Sequence, residues 1–462
     1  MATGPRSSSA GAAIAHGEPM DNASYRDETP PSREILPGGA VLLSAPLPGA
    51  QSSALGIWVR RGTQDEPAGL GGVCHFLEHI VFKGSARYSA LDLAQGFDAL
   101  GASVDAFTTK DHVGFTLRVL PEYLASAAEL LADMTLRPAF DPEMIALEQE
   151  IVCEEIQEAR DTPEDWLHDA FAARVYGGHP RALPILGTRE SVMGLRADLL
   201  RGQHAAIFAG PNLVLSLSGP NDPRLAEAVV AAFGPRLWGA EAATAGTAGA
   251  PVAPGAGVGD GGTGRADTSP AVAGAGGADQ RRLELRSGIV QTYFEIGNLA
   301  VSYRHPDWIP LYLLANLLGG GMSSRVFQAV REREGLAYSV YTYSDLGRDT
   351  GLVSCAGSCT PSKAARLEEV VRDEYRKLLA EGPGEGELEA NRAQMKSQII
   401  FGLEGVMGQM SRAAKNEITH DRFIPVTELV ARLDGIDRDV VVRCASAYFH
   451  PDHLTVATHR PE

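Results

Sequence analysis

The chain has 462 residues, a formal net charge of −17 and a sequence pI near 5.2. Hydrophobic residues make up 44% of it, but no stretch approaches about eighteen uninterrupted apolar residues, so we expect a globular protein without a membrane span. The excess of acidic residues argues against a nucleic-acid partner, because phosphate binding needs a concentrated basic surface. At this length two or more domains are expected.

The cysteines and the N-terminal segment bear on where the protein works. Five cysteines are too few and too irregularly spaced for a disulfide framework, and their odd number leaves one thiol unpaired, which favours a reducing, cytoplasmic setting. The first 33 residues are rich in Ser, Gly, Ala and Pro but lack both the apolar core of a secretion signal and the Arg-rich character of a transit peptide. We expect a disordered extension over residues 1–33.

A segment rich in Gly, Ala, Pro and Thr, residues 239–279, divides the rest of the chain. Large apolar side chains almost vanish there, so the segment cannot bury enough surface to offset its ordering entropy. It is predicted to be a flexible linker between two domains, residues 34–238 and residues 280–462.

Strand-like and helix-like patterns alternate in both halves. In the first half the patterns predict strands at 40–44, 55–60, 105–108 and 114–119, and helices at 121–136 and 141–160. In the second half they predict strands at 289–296, 337–343 and 351–357, and helices at 305–318 and 361–380. The sequence therefore predicts an α+β fold of two homologous α/β sandwich half-units, which implies an internal duplication.

Residues 71–84 form a helix-compatible block that reads GGVCHFLEHIVFKG. His75 and His79 are four apart and therefore lie on one helical face, where two imidazole nitrogens reach a single ion. Glu78 stands beside them and is suited to take a proton from a metal-bound water. This is the H-x-x-E-H pattern of the inverzincins. The alternative is a solvated helix with two surface histidines.

A catalytic zinc site usually has three protein ligands plus water, so a carboxylate is expected to join the two histidines. The predicted helix at 141–160 begins Asp-Pro-Glu, an N-cap followed by proline in the first turn. Glu148 and Glu155 lie seven residues apart on this helix, which is two turns, and so share a face. The residue pattern leaves open which of the two is the ligand.

The His75–His79 block, the spacing of 155 − 79 = 76 residues to Glu155, and the sequence EIVCEEIQE around Glu155 resemble the pitrilysin-type metallopeptidase family, especially its short members related to mitochondrial processing peptidase. The resemblance covers nearly all of the chain outside the extension and the linker. It implies that Glu155 is the third zinc ligand and that Glu148 supports the site from behind. The activity it implies is that of a zinc-dependent endopeptidase acting on extended peptides or unfolded segments.

The resemblance also implies residues that bind substrate. The sequence GASVDAFTTKD, residues 101–111, is similar to the family's edge strand, which adds an extended peptide to the sheet, so Asp105, Ala106 and Phe107 are expected to align substrate. Asp105 replaces the family's usual asparagine, which exchanges an amide donor for an acceptor. Asp165 and Asp169 match acidic positions that receive a substrate arginine, which predicts a preference for basic peptides. The alternative is a charged, solvated helix.

Arg331 and Tyr338 match a family pair that reaches across to the active site, where it binds the substrate main chain and helps to stabilise the reacting carbonyl. The pair is therefore expected to complete the active site from the second half, residues 280–462. Without the resemblance, Arg331 would be interpreted as a surface helix residue and Tyr338 as a core residue. The second half has no H-x-x-E-H of its own, so it is expected to complete the chamber. Because the family's chambers contain four half-units, a chain with two is predicted to form a homodimer.

Two other functions compete with catalysis. A non-catalytic partner or scaffold subunit would use the same fold, but the complete set of His75, Glu78, His79 and Glu155 argues against it. A zinc protein that binds peptides without cleaving them is the third possibility. His168 lacks a partner at useful spacing and is expected to be an ordinary polar residue.

Overall fold

The computed structural model describes residues 29–238 and 281–462. The expected linker lies outside the described residues, as do residues 1–28 of the expected extension. Strand β1 begins at Ser32, just inside that expected extension, and Arg33 forms an ion pair with Glu417 in the second half at 3.0 Å. Among the described residues, no helix combines the length and the hydrophobicity that crossing a membrane requires.

The first sheet has six strands in the order β1-β2-β6-β3-β5-β4, in which only β2 and β6 are parallel. Its strands are β1 (Ser32–Ile35), β2 (Val41–Pro46), β3 (Ser53–Val59), β4 (Ser103–Thr108), β5 (Val113–Val119) and β6 (Leu213–Gly219). The helices of this half are α1 (Val73–Ile80), α2 (Ala90–Ala99), α3 (Leu124–Leu136), α4 (Pro142–Asp161), α5 (Pro163–Tyr176), α6 (Arg189–Met193), α7 (Ala197–Ile207) and α8 (Pro223–Trp238).

The second sheet has five strands in the order β7-β11-β8-β10-β9, in which only β7 and β11 are parallel. Its strands are β7 (Arg282–Ser287), β8 (Thr292–Ala300), β9 (Ala337–Leu346), β10 (Gly351–Cys359) and β11 (Thr455–Pro461). The helices are α9 (Trp308–Gly319), α10 (Arg325–Phe327), α11 (Ala364–Glu381), α12 (Glu385–Phe401), α13 (Val406–His420), α14 (Val426–Asp434) and α15 (Arg438–Tyr448), and α10 continues as a π-helix over Gln328–Arg333.

The two sheets repeat one topology. The order β2-β6-β3-β5-β4 of the first corresponds to β7-β11-β8-β10-β9 of the second, and in each the parallel pair stands at the same end. The predicted α+β fold of two similar half-units is therefore confirmed. Several predicted elements are shifted: β8 begins at Thr292 rather than at residue 289, and α9 begins at Trp308 rather than at residue 305, with Asp307 at its N-cap position.

In each half, one helix packs on the sheet of the other half. Helix α13 packs on the first sheet, where Met410 is fully buried among side chains that include Trp58. The fit is close, since a Cβ added to Gly56 would lie 2.5 Å from the Met410 sulfur. Helix α5 of the first half packs in return on the second sheet, where Phe171 is fully buried beside Ala457. The halves are thus fixed to each other by reciprocal apolar contacts.

A buried arginine adds an ionic contact between the halves. Arg181, only 1% exposed, lies 2.7 Å from Asp111 of the first half and 3.0 Å from Asp345 of the second. The Asp111 carboxylate also accepts a hydrogen bond from the main-chain NH of Arg348 at 3.0 Å. Removing either carboxylate would leave the buried guanidinium less well compensated, so these ion pairs help to fix how the halves are joined.

Candidate metal centre

Helix α1 carries the two histidines of the motif and has an unusual start. Its N-cap is Gly72 in the left-handed region (φ 87°), where a Cβ would come within 2.5 Å of the Leu186 carbonyl oxygen. The Glu66 carboxylate replaces the missing side-chain cap by accepting hydrogen bonds from the main-chain NH groups of Gly72 and Cys74, both at 2.8 Å. Burial raises the pKa of Glu66 to about 7. Glu66 therefore holds the first turn of the metal-binding helix, a role that the sequence analysis missed.

His75, His79 and Glu155 converge as the sequence analysis expected. The His75 Nε2 lies 3.6 Å from Glu155 Oε1, the His79 Nε2 lies 3.7 Å from Glu155 Oε2, and ligand atoms of all three lie within 4.8 Å of one another. Tetrahedral zinc ligands stand about 3.5 Å apart, given bond lengths of roughly 2.0–2.2 Å. Two nitrogens and one carboxylate at this spacing fit a catalytic zinc site with an open fourth position.

The two histidines differ in their electrostatic surroundings. Burial, with a contribution from the neighbouring His79, lowers the pKa of His75 to about 4, so this imidazole is neutral and ready to bind a metal. The pKa of His79 is raised, chiefly by its hydrogen bond to Glu148. That contact joins His79 Nδ1 to Glu148 Oε1 at 2.8 Å and leaves Nε2 directed at Glu155. Glu148 thus orients a ligand, as such carboxylates do in zinc sites.

Lys83 holds Glu148 from the other side and was missed by the sequence analysis. Its Nζ lies 2.7 Å from Glu148 Oε2, while the Glu148 side chain is only 2% exposed. Burial alone would raise the pKa of Glu148, but the contacts with His79 and Lys83 lower it. Lys83 follows His79 by four residues, close to one helical turn, which is the signal that could have revealed it.

We expect Lys83→Met to weaken zinc binding about tenfold, because losing a group that supports a ligand costs roughly 10- to 100-fold in metal affinity. The measurement is a zinc titration of purified protein against a chromogenic chelator. Lys396→Met is the matched control, since Lys396 also forms a short ion pair, 2.6 Å from Asp434, but in the second half. Equal zinc affinity for the two variants would show that Lys83 does not support the site.

Glu78 lines a cleft of about 570 Å³ that also contains His75 and Glu155. Burial raises the pKa of Glu78, and a hydrogen bond that Thr108 Oγ1 donates to Glu78 Oε2 at 2.6 Å opposes the rise. Thr108 ends the edge strand β4, so the strand and the carboxylate are tied together. A carboxylate held in this way, with a pKa above its usual value, is suited to general base catalysis.

The expected substrate-binding residues of the first half lie around two cavities that share Glu78. Asp105 and Ala106 line one of about 320 Å³, and Phe107, Asp165 and Asp169 line the metal cleft. Strand β4 carries Asp105, Ala106 and Phe107, forms one edge of its sheet, and pairs on one side only, with β5. The Phe107 ring lines the cleft and meets the Trp58 ring edge to face at 5.1 Å. Asp165 and Asp169 on α5 line the cleft as well, and burial raises the pKa of Asp169.

Arg331 and Tyr338 lie elsewhere. The Arg331 guanidinium stacks over the Tyr338 ring at 4.8 Å and over the Phe327 ring at 4.9 Å, and Tyr338 is 82% exposed. The residues that line the metal cleft all belong to the first half, between His75 and Leu186. The structure therefore does not bring the pair to the cleft of its own chain. Tyr338 is also not a core residue, which corrects the interpretation made without the resemblance.

His168 is not the isolated polar residue that the sequence suggested. Its Nδ1 lies 2.9 Å from the Tyr343 hydroxyl and 3.3 Å from Glu295 Oε1, and the imidazole lines the metal cleft. Both partners lie in the second half, more than a hundred residues away along the chain. No spacing rule links residues so far apart, and only the packing of α5 on the second sheet brings them together.

Comparison with known proteins identifies the family and the fold. Residues 41–189 match the family described as Insulinase (Peptidase family M16), and residues 194–395 match the Peptidase M16 inactive domain. The chain is 33% identical over 405 residues, 87% of its length and 86% of the relative's, to a protein of Mycobacterium leprae named an uncharacterized zinc protease. It is 30% identical over 406 residues, 88% and 92% of the two lengths, to the uncharacterized zinc protease YmxG of Bacillus subtilis.

A solved structure shares the fold. A protease from Helicobacter pylori matches with a TM-score of 0.81 at 18% identity, and the match covers 94% of this chain and all of that one. The two half-units and their arrangement in one chain are thus shared with that protein.

Proposed function

We propose that this chain, which belongs to peptidase family M16, is a zinc-dependent endopeptidase that hydrolyses extended peptides or unfolded protein segments. The observation that carries the proposal is the convergence of His75, His79 and Glu155 beside Glu78, where His75, Glu155 and Glu78 line one open cleft. Relatives named zinc proteases indicate a metalloprotease in general terms. The substrate class and the role of Glu78 are our own inference from the site.

The residues around the cleft divide the chemistry among them. Zinc, when bound by His75, His79 and Glu155, supplies a Lewis acid that acidifies water and polarises a carbonyl. Glu78 accepts a proton from the attacking water and passes it to the leaving amine. Thr108 holds the Glu78 carboxylate in place through its 2.6 Å hydrogen bond.

Strand β4 is proposed to bind the substrate main chain. The strand has one free edge beside Glu78, and an extended peptide added there gains main-chain hydrogen bonds with little demand on sequence. Asp165 and Asp169 add two carboxylates to the cleft, which supports a preference for basic peptides. The net charge of −17 favours the approach of such substrates.

We further propose that the protein acts as a homodimer in which Arg331 and Tyr338 of one copy complete the cleft of the other. The pair lies outside its own chain's cleft, and Tyr338 is largely exposed. Because α5 packs on the second sheet and α13 on the first, the two halves are held in a fixed position relative to each other. A simple hinge within one chain would therefore not carry the pair to Glu78. The five buried, unpaired cysteines support a reducing, cytoplasmic location as part of the same proposal.

The function is tested by incubating purified protein with a mixed peptide library and identifying the fragments. We expect cleavage within peptide chains, loss of cleavage after zinc is removed with a chelator, and recovery after zinc is restored. Peptides with basic residues near the cut should be preferred, and Asp165→Asn with Asp169→Asn should reduce that preference. Zinc binding without cleavage would instead indicate a scaffold subunit or a peptide-binding protein.

A further inference from the structure

A second cavity, of about 280 Å³, lies between α5 and the second sheet. We call it the tyrosine pocket, after Tyr341 and Tyr343 in its wall. Asp165 and His168 line both this pocket and the metal cleft, so the two cavities adjoin. A peptide bound in the metal cleft can therefore extend one long side chain into the tyrosine pocket.

Glu295 lines the tyrosine pocket, and only one of its two carboxylate oxygens has a hydrogen-bond partner among the described residues. Its side chain is 3% exposed, and its Oε1 accepts a hydrogen bond from the Tyr343 hydroxyl at 2.5 Å and lies 3.3 Å from His168 Nδ1. Its Oε2 has no hydrogen-bond partner among the residues that the structure describes. Oε2 is not sealed from solvent, so a ligand in the pocket that donates hydrogen bonds can reach it.

The lining of the pocket is strongly acidic. Glu164, Asp165 and Glu295 contribute three carboxylates, and His168 is the one basic side chain among the lining residues. Burial alone would lower the pKa of His168, but its contact with Glu295 raises it. Burial, reinforced by Glu295, also raises the pKa of Tyr343. The Glu295 contributions to both pKa shifts reflect its negative charge, and together with Glu164 and Asp165 it gives the pocket a lining that favours a cation.

The aromatic wall narrows the choice of cation. The rings of Tyr341 and Tyr343 lie 5.9 Å apart with their planes at 35°, and the Tyr341 hydroxyl donates a hydrogen bond to Glu164 Oε1 at 2.6 Å. A planar guanidinium stacks on such rings and donates to carboxylates in several directions, whereas an ammonium is a compact, strongly hydrated point charge. The lining therefore suits arginine better than lysine.

We propose that the tyrosine pocket binds an arginine side chain of the substrate, with Glu295 Oε2 as an acceptor of its hydrogen bonds. The pocket is a specificity site that does not include Asp169, since Asp169 lines the metal cleft but not the tyrosine pocket. The proposal rests on the proposed peptidase function, because that function supplies the peptide.

The test uses zinc-loaded protein and sets of peptides that differ at one position, which is arginine, lysine or the neutral isostere citrulline. The position is varied on both sides of the cut in a peptide that the wild type cleaves. At one position the wild type should favour arginine over citrulline about tenfold in kcat/KM, the effect of one charge-assisted hydrogen bond. Glu295→Gln should abolish that preference by slowing cleavage of the arginine peptide about tenfold more than cleavage of the citrulline peptide.

Two variants serve as controls. Glu284→Gln removes a carboxylate from β7, in the same sheet but outside the pocket lining, and should keep the preference. Asp169→Asn should also keep the preference at this position. If Glu295→Gln melts at a much lower temperature than the wild type, Glu164→Gln at the exposed rim takes its place, with the same expected direction.

The proposal is overturned if Glu295→Gln keeps the arginine preference at every position, or slows the arginine and citrulline peptides equally. Cleavage of the citrulline peptides by the wild type would leave the peptidase function standing in either case. If the wild type cleaves no peptide, the peptidase function fails, and the pocket is tested by binding alone. Tenfold tighter binding of the arginine peptide that disappears in Glu295→Gln would still support the pocket, and equal binding would refute it.

Discussion

Glu78→Gln is expected to lower kcat for peptide hydrolysis by about 10³-fold, because a positioned general base typically contributes 10²- to 10⁴-fold. The amide keeps the shape of the side chain and can still accept the hydrogen bond from Thr108 Oγ1, but it cannot take a proton from water. The zinc content should stay at the wild-type level, since Glu78 lies outside the group His75, His79 and Glu155 that converges on the metal position. Steady-state kinetics together with metal analysis of the same preparation measure both quantities.

The matched control for this experiment is Glu154→Gln. Glu154 is a neighbour of Glu155 on α4, but it is exposed to solvent, so its loss should change neither kcat nor zinc content. The proposed mechanism would be wrong if Glu78→Gln and Glu154→Gln cleaved peptides at the same rate. Loss of zinc from Glu78→Gln alone would mean that Glu78 binds the metal rather than acting as a base.

The part of the site that the sequence predicted is local. His75, Glu78 and His79 lie within one helical segment, and the periodicity of a helix decides which side chains share a face. The same periodicity left two candidates for the third ligand. Glu148 and Glu155 do share a face of α4, but periodicity cannot show which end of that face reaches the Nε2 atoms of α1. Resemblance to a family favoured Glu155, and the structure places it there.

The residues that the sequence analysis missed depend on tertiary packing. Thr108 reaches Glu78 across 30 residues, because β4 passes beside α1. Glu66 reaches the start of α1 from the loop that precedes it, and its role follows from the absence of a capping side chain at Gly72. Glu295 meets His168 only because α5 leaves its own half to cover the second sheet. Amphipathic patterns show that a helix has a buried face, but not which sheet buries it.

The packing of α5 and α13 on the sheet of the opposite half also bears on how a second copy of the chain would complete the active site. Apolar contacts of α13 on the first sheet and of α5 on the second hold the halves of one chain together. Arg331 and Tyr338 are not among the residues that line the cleft of their own chain, and the fixed contact keeps them from moving to it. In a dimer the contact between the halves stays intact, since Arg331 and Tyr338 of a second chain can reach the open cleft of the first.

A heterodimer of two chains with different inactivating substitutions should therefore regain peptidase activity. Glu78→Gln lacks the base, and Arg331→Ala lacks a group that stabilises the reacting carbonyl, so each homodimer should be impaired, the latter by about 10²-fold. Chains with different affinity tags are co-expressed, and the heterodimer is isolated by using both tags in succession. If the pair acts on the partner's cleft, one of the two sites is complete and the heterodimer should recover about half of the wild-type activity.

A reciprocal heterodimer separates the two possibilities, because opposite results are expected for it if Arg331 acts on the partner's cleft and if it acts on the cleft of its own chain. Here a wild-type chain is paired with a chain that carries both Glu78→Gln and Arg331→Ala. If Arg331 acts on the partner, the one cleft that keeps Glu78 loses its complement, and activity should fall to about one two-hundredth of the wild type, which is half of the roughly hundredfold loss. If Arg331 acts within its own chain, this heterodimer keeps about half of the activity, and the first heterodimer fails to recover. That second pattern would contradict the homodimer proposal and require the cleft and the pair to meet by a movement within one chain.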